Sequence, residues 1–146
     1  MFPCQLGKTG RRIRKREGDG ASPIGVFRLE QLYYRSDKMV RPSTRLKAGP
    51  LSRADGWCDD PKHFAYNRLV PLPFSASHEV LWRNDNAYDL VISTNQNQRP
   101  RIRGFGSAIF LHVTNGTNGT EGCIALSKKH LRMVLGRCSK DVWLVI

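Results

Sequence analysis

His112 and Cys123 stand on either side of a turn-rich stretch, Thr114-Asn115-Gly116-Thr117-Asn118-Gly119-Thr120. A thiolate, not a thiol, is the nucleophile in cysteine chemistry. A free cysteine with a pKa near about 8.5 is only a few per cent ionised at neutral pH. A base must therefore remove its proton, and an imidazole titrates in the right range. Gly122 precedes the cysteine and lets the backbone approach a substrate closely. The amides of Gly122 and Cys123 could then donate to a developing oxyanion, an interaction worth roughly 3 kcal/mol per donor. The plainer alternatives stay open on these residues alone: a cysteine as a small buried hydrophobe, and a histidine as a satisfied core residue. A zinc site from His112, Cys123 and His130 lacks the Cys-x-x-Cys or His-x-x-x-His spacing, so no metal is expected.

For His112 and Cys123 to meet, the elements around them must turn the chain back. Residues 107–113 alternate as a strand, with Ile109, Leu111 and Val113 on one side and Ala108, Phe110 and His112 on the other. His112 thus falls at the end of an apolar strand, and the Gly/Asn/Thr turn returns the chain toward Cys123. Residues 26–32 predict a strand with Phe27, Leu29 and Gln31 on one face. Residues 88–93 predict another, with Tyr88, Leu90 and Ile92 together. Residues 41–63 are dense in Pro, Gly, Ser and Asp and read as irregular. Ser127 is an N-cap for one helix with Leu131, Val134 and Leu135 as its apolar stripe and Gly136 as its terminator. Residues 142–146 read as a closing buried strand. Many short apolar segments punctuated by Gly and Pro favour a mainly β fold, a sandwich or flattened barrel with one or two short helices.

The chain has 146 residues, with 24 Lys and Arg against 12 Asp and Glu, a formal charge of +12. That length suits one domain, 1–146, able to bury roughly 70% of its unfolded surface. No apolar run approaches the ~20 residues of a membrane span. The charge points to anionic partners. Lys8, Arg11, Arg12, Arg14, Lys15 and Arg16 form a basic run that reads as a solvated face. No aromatic residue interleaves it and no nucleic-acid motif accompanies it, so nucleic acid is not expected as a partner. The N-terminal residues lack the pattern of a leader peptide. A cytoplasmic protein, a removed leader and a start further upstream all remain open. The sequons at Asn115 and Asn118 are read as turn chemistry. Cys4, Cys58 and Cys138 are read as structural; were the protein exported, two could pair, with a connectivity that spacing does not give.

Several stretches in order resemble one family. Ser107-Ala108-Ile109-Phe110-Leu111-His112, a turn, then Thr120-Glu121-Gly122-Cys123-Ile124 looks like the signature of the L,D-transpeptidases, the YkuD-type catalytic domain. Leu6-Gly7-Lys8-Thr9-Gly10 and Glu17-Gly18-Asp19-Gly20-Ala21-Ser22-Pro23-Ile24-Gly25 are similar to the family's N-terminal strand–turn region. Trp57-Cys58-Asp59-Asp60-Pro61 with Tyr66-Asn67 is similar to a branch of short, single-domain members. Glu121 departs from the commoner motif, which has a His there, and Ala125 stands where many members carry a polar or basic residue.

The resemblance implies a peptidoglycan transpeptidase without a cofactor, with Cys123 as nucleophile, His112 as base, the Val113 carbonyl holding the imidazole, and the Gly122 and Cys123 amides at the oxyanion. Trp57, Asp59, Tyr66, Asn67, Arg83 and Glu121 are its candidate substrate contacts. It implies peptide stems and an anionic wall as partners, a monomer, and a place in the periplasm or envelope. The link could be of the 3-3 or the 1-3 type, since the branch with Glu at this position includes members with a different cross-link. Hydrolysis, D-amino-acid exchange, a non-catalytic basic wall-binding module and a peptidase acting on proteins are the alternatives.

Overall fold

The computed structural model describes residues 2–146. In chain order the elements are β1 (Cys4–Gln5), β2 (Arg11–Arg12), β3 (Ser22–Pro23), β4 (Val26–Tyr34), β5 (Lys47–Pro50), β6 (Asp55–Cys58), β7 (Arg68–Pro71), β8 (His78–Val80), β9 (Leu90–Thr94), β10 (Phe110–Val113), β11 (Ile124–Leu126), α1 (Lys128–Arg137) and β12 (Trp143–Val145). The main sheet runs β1-β11-β10-β9-β4-β12, with β5 also on β4; a smaller sheet has the order β7-β6-β8, and β2 pairs β3. The fold is mainly β, a curled sheet with a second sheet stacked on it, as the pattern of short strands predicts.

Both faces of the main sheet are covered, which is why β9, Leu-Val-Ile-Ser-Thr, is buried throughout. One face packs Leu90, Ile92, Ile109, Leu111, Val113 and Ile124 against Leu131 and Leu135 of α1. The other packs Val91 and Phe110 against Trp57 of the smaller sheet, together with Leu81, Tyr88 and Cys123. The strand expected over 107–113 begins only at Phe110, since Ala108 at φ 51° breaks the extended backbone before it; the expected sidedness holds, with Ile109, Leu111 and Val113 in one core and Phe110 in the other. β10 and β11 are parallel neighbours, with His112 opposite Ala125. That pairing forces residues 114–123 to cross back over the sheet end, with Gly116 and Gly119 at positive φ.

Several local expectations are corrected. β4 reaches Tyr34, and an irregularity between Leu29 and Gln31 breaks its alternation. Leu29 therefore shares its core with Leu32 and Tyr34 rather than a face with Gln31. Tyr88 precedes β9 and packs with Val91, not with Leu90 and Ile92. Residues 41–63 hold β5 and β6, built where backbone pairing outweighs poor strand propensity. Ser127 does cap α1, accepting from His130 N, but Gly136 lies inside the helix. The helix ends where Cys138 turns extended and donates to Leu135 O. The last strand is an edge, and Trp143 and Val145 are exposed. Among the described residues no helix is long and apolar enough to cross a membrane, and Cys4, Cys58, Cys123 and Cys138 are free thiols.

Candidate active site

The end of β10 and the start of β11 open onto a cavity of about 660 Å³ lined by both His112 and Cys123. His112 is placed by strand alternation on the face opposite α1. Its Nδ1 lies 2.8 Å from Val113 O. A carbonyl only accepts, so Nδ1 carries the proton of the neutral ring and Nε2 keeps a lone pair. The Tyr88 ring stands edge-on to the imidazole at 5.2 Å. Burial lowers the His112 pKa below its ordinary value and the Arg83 charge adds to this, while the Val113 bond opposes it.

Cys123 Sγ donates to Ala108 O at 3.0 Å and accepts from Phe110 N at 3.3 Å. Burial, helped by the Glu79 charge, pushes the thiol up to about 12; the Phe110 amide, Lys15 and Arg83 pull the other way. The resting pair is therefore a neutral thiol and a neutral imidazole.

The sulfur's partner, Ala108, is held in a conformation that alanine rarely adopts, with φ 51°. Its amide donates to Asn67 Oδ1 at 3.1 Å, and the same oxygen accepts from Trp57 Nε1 at 2.9 Å. Asn67 Nδ2 donates to Gln96 O and Asn97 O, both at 3.0 Å. The kink takes residue 108 out of the ladder and turns its carbonyl to the sulfur.

Of the six substrate contacts that the sequence suggests, Asp59, Arg83 and Glu121 line the cavity. Trp57, Tyr66 and Asn67 do not: all three are buried, and Trp57 lines a second cavity with Arg28, Gln31 and Arg99. Tyr66 donates its hydroxyl to Glu17, itself a lining residue. Arg83 Nε bonds Asp85 at 2.9 Å, and its guanidinium faces the Tyr88 ring at 5.2 Å. Glu121 is exposed and pairs with Lys8. The Gly122 amide is already engaged, donating to Thr120 Oγ1 at 3.1 Å, while that hydroxyl donates to Cys123 O at 2.6 Å. Gly122 has φ 138°, and a Cβ there would lie 2.8 Å from Ala21 O, so the position admits only glycine.

Sequence reasoning missed Glu79 and Tyr88, whose side chains are hydrogen-bonded together in the cavity wall. Nothing in their spacing signals it. It also passed over Thr120, although the motif contains that residue. Among the described residues no cluster of His, Cys, Asp and Glu could hold a metal ion.

Over residues 1–146 the chain matches the YkuD family, the L,D-transpeptidase catalytic domain. No curated protein and no solved structure matches it significantly. The match spans the whole sequence, and the chain belongs to the YkuD family.

Proposed function

From that membership we propose that the chain is a peptidoglycan L,D-transpeptidase. It works as one catalytic domain over 1–146 and as a monomer, in the cell envelope, through a cysteine acyl-enzyme. The observation that carries this reading is that His112 and Cys123 open onto one cavity while Val113 O fixes the imidazole tautomer.

In the first half-reaction the thiol hydrogen turns from Ala108 O to His112 Nε2 as the sulfur attacks a stem carbonyl on the carboxyl side of an L-centre. The Cys123 amide donates to the oxyanion, while the Gly122 amide stays on Thr120 Oγ1 and holds the Gly122–Cys123 turn in place. The tetrahedral centre collapses with cleavage of the C–N bond, and the imidazolium returns its proton to the leaving amine. A thioester on Cys123 remains. In the second half-reaction an amine of a neighbouring stem attacks the thioester and gives its proton to His112. The sulfur leaves, and a new amide joins the stems by a 3-3 or 1-3 link. Water in place of the amine makes the site a carboxypeptidase, and a free D-amino acid makes it an exchanger. Asp59, Arg83 and Glu121 contact the stems.

A thiol held near 12 makes a preformed thiolate a minor species. Proton transfer then accompanies attack, and the base contributes on the order of 10²–10⁴ in rate.

The test has two parts. Incubation with a carbapenem is expected to add one acyl adduct to the intact mass, absent in Cys123→Ala. An unmodified wild type overturns the acyl-enzyme. Muropeptide analysis after reaction with sacculi then separates transfer, in which dimers accumulate, from hydrolysis.

A further inference from the structure

Lys8, Arg11, Arg12, Arg14 and Arg16 of the N-terminal basic run are exposed, but Lys15 is 5% exposed. Its stem runs past Gly106 and its ammonium ends beside Gly122, both glycines at positive φ. A Cβ on Gly106 would lie 2.8 Å from Lys15 Cγ, and one on Gly122 would lie 3.4 Å from Lys15 Nζ. The ammonium is fixed there, donating to Arg16 O at 2.9 Å and to the Asp19 carboxylate. Asp19 is fixed in turn by the amides of Arg16 at 2.8 Å and Ala21 at 3.0 Å. The next residue, Ser22, donates its hydroxyl to Gly122 O at 2.8 Å. A buried lysine is costly unless its charge is paired and bonded. Gly106 leaves the room for the Lys15 stem, since a Cβ there would overlap Lys15 Cγ, and the Gly122 position lies at contact distance from the ammonium.

We propose that Lys15 is a positioning residue for the Cys123 nucleophile: its ammonium, locked by Asp19 beneath Gly122, sets a fixed positive charge under the Gly122–Cys123 step that favours the thiolate as His112 takes the proton. This rests on the reading of Cys123 as nucleophile. Neutral surroundings disfavour a sulfur anion, and a nearby cation acts against them without touching substrate. Arg83 acts on the sulfur in the same sense and Glu79 against it; both line the cavity with His112, whereas Lys15 lies outside that lining.

The experiment is the pH–rate curve for carboxamidomethylation of Cys123 by iodoacetamide, read by peptide mapping so that the other cysteines do not interfere. In Lys15→Met the curve is expected to move up by about one pH unit, a roughly tenfold slower reaction at each pH on its rising limb. Lys15→Arg, which keeps the cation, is expected to restore it. Should Lys15→Met not fold, Asp19→Asn keeps the cation and removes its counter-charge, and the curve is expected to move down. An unmoved curve in folded Lys15→Met, no recovery in Lys15→Arg, or an unmoved or raised curve in Asp19→Asn overturns the proposal. A wild-type Cys123 that neither alkylates nor takes a carbapenem overturns the acyl-enzyme reading instead, which keeps the two failures apart.

Discussion

At the scale of single residues the site is a thiol and an imidazole that both rest neutral, each tied to a backbone carbonyl. His112→Gln keeps a polar group but no base, and carbapenem acylation is expected to fall by about 10²–10⁴ with the fold intact. The pH profile follows from the direction of the His112 shift. Acid protonates the ring and removes the base. Because burial lowers the pKa, the acid inflection of acylation is expected below the ordinary imidazole value of about 6.5. An inflection above it contradicts the burial argument. Thr120 is the other residue to probe, since its hydroxyl joins Gly122 N to Cys123 O. Thr120→Val removes both bonds at constant shape, and about a tenfold or greater loss of acylation is expected, with Thr120→Ser close to wild type. The strand period and the Gly-rich return bring His112 and Cys123 toward one cavity, but in the sequence it is the motif's family resemblance, not the spacing, that singles them out as a pair. The Thr120 link was not legible, because it depends on a local loop closure that residue type alone does not dictate.

At the scale of elements the kink before β10 is held by a buried amide. Asn67 is 2% exposed and joins Trp57, Ala108, Gln96 and Asn97. Asn67→Leu leaves several buried donors and acceptors without partners, and a loss of about 3 kcal/mol in urea unfolding is expected. The sequence marks Trp57 and Asn67 as interesting types on an irregular segment. That their partners lie in residues 96–108 is a tertiary fact. The same limit explains β4: an inserted residue at Glu30 changes which side chains face inward, and no composition signal announces it. α1 is better determined, since its cap and stripe are local. It is pinned to β9 by Asp89, which accepts from Lys128 at 2.9 Å and Lys38 at 2.8 Å. Burial acts to raise the Asp89 carboxyl, but the two lysines outweigh it and hold it below its ordinary value. A depressed folded pKa gives stabilisation that is full above about pH 4 and is lost as pH falls through the folded value. The acid limb of Tm against pH is therefore expected to be shallower in Asp89→Asn than in the wild type.

At the scale of the whole molecule a chain of charge +12 carries a cavity lined by Glu17, Asp59, Glu79 and Glu121, with Arg83 among them. The outer surface and the cavity therefore differ in the sign of charge they present. Binding to sacculi, measured by co-sedimentation, is expected to weaken steeply between 50 and 200 mM salt, roughly following the screening length. Carbapenem acylation inside the cavity is expected to change much less. Fold class was legible because many short segments with turn residues allow few alternatives. The stacking of the small sheet on the large one was not, since β6, β7 and β8 have weak patterns and are defined by their pairing. The parallel register of β10 and β11 has a last consequence. His112 stays opposite Ala125 whatever the length of the excursion between the strands, yet Asn115, Thr117 and Gly119 of that excursion form the rim of the cavity. Insertions or grafts at Gly116 would thus reshape what is admitted without moving what reacts, so that selectivity and chemistry can diversify separately in this scaffold.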